Sequence, residues 1–132
     1  MTWSRAHWIV GRLALVAFPL TGAYMKSTGA YALDDVPRLI FRSRHLYLML
    51  SAVANLALSG YEPVGWVKKM ASVLITVSPL LLGVAFCIDP EREMKSSLFF
   101  RFGMYSIFAA GVLLAVANLP FGKPASSSRM LD

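Results

Sequence analysis

The chain has 132 residues, 57% of them hydrophobic and only 15% charged, with a mean hydropathy of +0.59 and a formal charge of +6. A soluble domain carries about a quarter charged residues, so this composition excludes an ordinary water-soluble fold and, at this length, allows one domain. The basic excess lies between apolar stretches, where lipid phosphates meet it, which argues against nucleic acid as a partner.

Four apolar stretches follow in chain order: Ala6–Met25, Leu46–Tyr61, Met70–Ile88 and Phe102–Phe121. A hydrocarbon core of about 30 Å takes ~20 apolar residues as helix. Met70–Ile88 and Phe102–Phe121 contain no charged residue at all. The expected architecture is therefore an all-α, integral membrane four-helix bundle running up-down-up-down. Residues 1–121 form the transmembrane domain, and 122–132 form a polar, flexible tail with Pro124 and three consecutive serines.

The first helix is expected over Ser4–Tyr24, with Ser4 as its cap and a kink at Pro19. Arg12 interrupts its apolar run, which favours a retained helix over a cleaved signal peptide. Lys26-Ser27-Thr28-Gly29 breaks the run. Asp34-Asp35-Val36-Pro37 reads as a helix start, so the second helix begins well before its apolar part and ends at Ser59-Gly60. Its first turns, Val36–Arg44, belong in the headgroup zone. The third helix runs from about Val64 to Asp89-Pro90, with a second proline, Pro79, inside. A charged turn follows, in which Asp89, Glu91 and Glu93 alternate with Arg92 and Lys95 and read as solvated rather than metal-binding. Ser96 or Ser97 caps the fourth helix, which ends at Asn118-Leu119-Pro120.

Membrane helices are held by close backbone approach and interhelical hydrogen bonds, because lipid tails are as apolar as leucine. Each helix offers a small or mildly polar face for this. Ala14, Ala17 and Thr21 lie on the first, and Tyr47, Ser51, Asn55 and Ser59 on the second. The third has Ser72, Thr76, Pro79, Gly83 and Cys87, and the fourth has Gly103, Gly111 and Ala115. Those faces should turn inward. Cys87 is the only cysteine, so no internal disulfide is possible. Trp3, Trp8, Trp66, Tyr24 and Tyr61 fall near helix ends, as interfacial anchors do. With four spans, six basic residues lie on the N-terminal side and seven on the other, so the charge rule sets no orientation.

No paired acid/base set, nucleophile motif or metal-ligand spacing occurs, and no catalytic or metal residue is assigned. The candidates are polar groups at membrane depth. Arg38, Arg42 and His45 share one face at the entry to the second helix, with Arg44 beside them; guanidinium suits a lipid phosphate, an anionic ligand or an acidic partner. Arg12 and Arg101 lie one or two turns inside their helices and can snorkel to the headgroups. Asn55 is expected buried, bonded to Ser51, Ser59, Thr76 or Ser78. His45 is also the candidate for a haem or quinone. His7, the other histidine, would lie across the bilayer from it, so the two cannot clamp one haem within a protomer.

The stretch Arg42-Ser43-Arg44-His45-Leu46-Tyr47 with Asn55-Leu56, then Pro79-Leu80-Leu81-Leu82, Ala85-Phe86 and Asp89-Pro90-Glu91, resembles a family of small, uncharacterised bacterial four-helix inner-membrane proteins. The resemblance implies four transmembrane helices and a bacterial inner membrane, and no activity. The expected function is a non-enzymatic accessory, assembly or scaffold subunit of a larger membrane complex. Its partners would be membrane lipids and other membrane subunits or itself, and no cofactor is required. The alternatives are a small transporter, channel or ligand-binding bundle, or a haem or quinone protein using His45.

Overall fold

The structure is a computed structural model that describes residues 2–27, 35–88 and 98–118. The expected tail, the charged turn after Ile88 and the caps at Asp34, Ser96 and Ser97 lie outside these residues. Four helices make up the described chain: α1 (Trp3–Ser27), α2 (Asp35–Ala57), α3 (Trp66–Ile88) and α4 (Leu98–Asn118). The protein is an all-α bundle, and α1, α3 and α4 are long and apolar enough to cross a membrane.

Helix ends follow local chemistry. The cap of α1 is Thr2 rather than Ser4: Arg5 N–H reaches Thr2 Oγ1 at 3.4 Å and Ala6 N–H reaches Thr2 O at 3.1 Å. Ser4 ties α1 to the end of α2 instead. Its hydroxyl donates to the Ser59 carbonyl, and its N–H donates to Glu62 Oε1 at 3.2 Å. The α2–α3 connection contains Gly65 at φ +86°, a left-handed conformation open to glycine. That turn delays the start of α3 to Trp66, two residues past Val64. Both α1 and α3 run on as single helices through Pro19 and Pro79.

Side-chain pairs fix the directions. His7 meets Asn55 and Thr21 meets His45, so α1 and α2 are antiparallel. Asn55 bonds Ile75 O and Phe41 packs on Phe86, which makes α2 and α3 antiparallel. Lys68 bonds Asn118, and Leu82 sits over Gly103, so α3 and α4 are antiparallel too. The bundle is not square. α2 and α3 form its central pair, α1 packs on both, α4 packs mainly on α3, and α1 and α4 do not touch. The main core joins Ala14, Leu48, Ala52, Leu82, Ala85, Phe100 and Ile107, with Tyr47 against Phe100 at 5.8 Å.

This placement explains the one helix that is not apolar enough to count as a span by composition. Arg38, Arg42, Arg44 and His45 fill the first half of α2. Yet α2 runs beside α1 from Thr21 back to Ser4, so it lies at the same depth. It faces protein on most sides. Its exposed surface is a stripe of Leu39, Leu46, Met49, Leu50, Val53 and Ala57, with Arg42 among them.

Candidate functional site

Two polar centres occupy opposite ends of the bundle. The first joins α1, α2 and α3. Asn55 is wholly buried, and its Nδ2 donates to Ser51 O and to Ile75 O, both at 2.9 Å. Both amide hydrogens are then used, so Oδ1 must accept. Its partner is His7 Nδ1 at 2.9 Å, which therefore carries the hydrogen. Thr76 Oγ1 lies 3.4 Å from the same nitrogen and accepts a weaker share. His7 is also wholly buried, one turn from the Trp3 ring. Its Nε2 and the Ser72 hydroxyl are buried without a hydrogen-bond partner.

Of the partners the sequence offers for Asn55, only Ser51 bonds it, and through its backbone carbonyl. Thr76 lies against His7 instead, the Ser78 hydroxyl donates to Ile75 O and the Ser59 carbonyl accepts from Ser4, while the sequence treats His7 only as a rejected haem ligand. A signal was present: His7, Gly11 and Ala14 are spaced at i, i+4 and i+7, and all three are buried. Gly11 is what lets α1 approach so closely, because a Cβ there would meet Leu56 Cγ at 2.9 Å and the Leu56 backbone nitrogen at 3.0 Å.

The second centre lies at the other end of α1 and α2. Thr21 Oγ1 donates to Phe18 O at 2.8 Å, so it accepts from His45 Nδ1 at 2.9 Å. The imidazole stacks on Phe18, with ring centroids 4.0 Å apart and planes 17° apart. Gly22 leaves room for it: a Cβ there would stand 3.2 Å from His45 Cε1. Thr21 is fourteen positions along α1 from His7, roughly 21 Å of helix, so the two histidines sit far apart.

The four residues at the entry to α2 do not converge. Arg44 is 1% exposed, with its guanidinium 5.8 Å from the Phe41 ring centroid and 5.9 Å from that of Phe100. Its neighbour His45 turns to α1. Arg42 is exposed and Arg38 half-buried. Arg101 is exposed near the start of α4. Arg12 faces away from the bundle, and its guanidinium lies 3.8 Å above the Trp8 ring, one turn nearer the N-terminus.

Between α1 and α3 runs a groove open to the outside. One part, about 370 Å³, is lined by Ala17, Leu20, Thr21, Tyr24, Phe86 and Cys87. A second, about 160 Å³, continues past Ala14 and Ala17 to Pro79 and Gly83. Its lining combines the small residues Ala14, Ala17 and Gly83 with the buried Leu48 and Pro79. Among the described residues no group of three or more His, Cys, Asp or Glu could hold a metal ion. Comparison with family models, curated proteins and solved structures finds no match to the chain.

Proposed function

We propose that this protein is a non-enzymatic accessory or assembly subunit that docks a partner transmembrane helix in the α1/α3 groove. The observation that carries the reading is the groove between α1 and α3, open on the outside of the bundle and lined in part by the small residues Ala14, Ala17 and Gly83. Small side chains let a second helix backbone approach, which is how membrane helices gain dispersion contacts that lipid cannot match. The partner would be another membrane subunit or a second copy of this chain, in a membrane we take, from the sequence resemblance, to be a bacterial inner membrane.

The test is recovery of the tagged protein from native membranes in mild detergent, with mass spectrometry of the proteins, lipids and pigments that accompany it. A Cβ built at Gly83 meets nothing within 4 Å, so Gly83→Leu fills the groove from a position the fold leaves empty. Loss of a stoichiometric protein partner from the folded Gly83→Leu variant is the expected result. A lone monomer, or a partner retained unchanged by the variant, defeats the reading. The second reading, a ligand-binding bundle, is favoured by the larger apolar part of the groove beside Thr21 and Tyr24. Co-purification of a quinone, or of a pigment with a Soret band, in place of a protein would select it.

A further inference from the structure

We propose that the outer face of α1 binds the phosphate headgroup of an anionic phospholipid through Arg5 and Arg12, with Trp8 between them. The three residues stand at i, i+3 and i+7, on one side of the helix. Both arginines are exposed, and Trp8 is 44% exposed, while His7, Gly11 and Ala14 carry the buried side. The stripe therefore faces away from the bundle.

Depth decides what it meets. The 25 residues of α1 extend roughly 37 Å, about 7 Å more than a hydrocarbon core. Centred in the bilayer, the helix places the Arg12 Cα roughly 10 Å below the N-terminal boundary. A guanidinium there is costly unless it reaches the headgroups. It bends that way: stacking on Trp8 holds it one turn closer to the surface. One turn is about 5 Å, so the guanidinium stands within about 5 Å of the boundary, in reach of headgroup oxygens, and the guanidinium fork matches phosphate oxygens. Arg5 lies two turns above it. A cleft of about 310 Å³ lined by Ser4, Arg5, Trp8 and Ser59 opens beside them.

Among the described residues, the Glu62 carboxylate lies at the start of the stripe. It accepts the Ser4 N–H and so closes the start of α1. The charge on the stripe remains positive, two arginines against one glutamate. A negative headgroup is the complementary occupant, and the surface sits where such headgroups are.

Trp8 itself is the reporter. The chain has three tryptophans, so the full-length protein carrying Trp3→Phe and Trp66→Phe fluoresces from Trp8 alone. It is reconstituted in vesicles containing brominated phosphatidylglycerol or brominated phosphatidylcholine, and quenching is compared. At low salt the anionic lipid should be preferred, by roughly fivefold for each arginine engaged. The preference should fall to near unity in Arg5→Gln/Arg12→Gln, whose exposed positions leave the helical circular dichroism unchanged. Equal quenching by the two lipids overturns the proposal and leaves the stripe to an acidic partner protein. A preference that survives the double substitution also overturns it. So does full relief of quenching by millimolar inorganic phosphate, which would make free phosphate the ligand.

Discussion

At the scale of single residues, the His7–Asn55 pair shows how a bundle in oil sets its register. Every hydrogen of the Asn55 amide is committed, two to carbonyls on α2 and α3, while its oxygen takes the His7 Nδ1 hydrogen. One side chain thus ties three helices at one level. Interhelical bonds in membranes average about 0.6 kcal/mol and reach about 1.7, since the separated helices also find partners. Asn55→Leu should therefore destabilise the protein by about 1–3 kcal/mol in reversible denaturation from detergent micelles, the upper part coming from the orphaned His7 Nδ1–H. A double-mutant cycle with His7→Phe should show coupling of about 0.5–2 kcal/mol. Additive losses would mean that the bond between the His7 ring and the Asn55 amide carries no energy. Asn55 was legible in the sequence because an amide inside an apolar run must be bonded. His7 was less so, because a histidine near a helix start has the surface as its ordinary place.

At the scale of helices, the sequence carries the elements but not their neighbours. Apolar runs and breakers locate all four helices to within a few residues, because oil dictates both length and composition. The small faces are visible only in part: Ala14, Ser51, Asn55, Ser72, Pro79 and Gly103 turn inward as expected, but Cys87, Gly111 and Ala115 are exposed, because a face does not name what covers it. Gly103 and Gly83 look alike as sequence, and the structure gives them opposite roles. A Cβ at Gly103 would stand 2.9 Å from Leu82 Cγ and 3.3 Å from Leu81 Cβ, whereas one at Gly83, like one at Gly111, meets nothing within 4 Å. Gly103→Ala should therefore cost about 1–3 kcal/mol through overpacking of the α3–α4 seam. Gly83→Ala and Gly111→Ala should raise stability, by about 0.5–1 kcal/mol, because alanine loses less entropy on entering a helix. Thermal melts of the three variants in one detergent check the signs. Equal destabilisation by all three would dismiss the packing distinction. The split of Arg44 from His45 has a similar cause: adjacent residues on a helix diverge by about 100°, so one turns to Phe41 and Phe100 while the next reaches Phe18 and Thr21.

At the scale of the whole molecule, the least apolar helix sits in the central pair with α3, the most enclosed helix, and that place withdraws Arg44 from lipid and turns His45 to α1 while Arg42 stays exposed. α2 lies between α1 on one flank and α4 on the other, and α3 completes the central pair. The consequence for topology is specific. Glu62 bonds the Ser4 N–H, so the α2–α3 connection is level with the start of α1. Lys26 is twenty-two positions further along α1, roughly 33 Å of helix, more than one hydrocarbon thickness. Both residues are exposed. In a Cys87→Ser background, Glu62→Cys and Lys26→Cys should therefore react with an impermeant maleimide from opposite sides of sealed vesicles. One variant should label before lysis and the other only after it. If both label from the same side, α1 does not cross, and α2, which depends on α1 for its depth, does not cross with it.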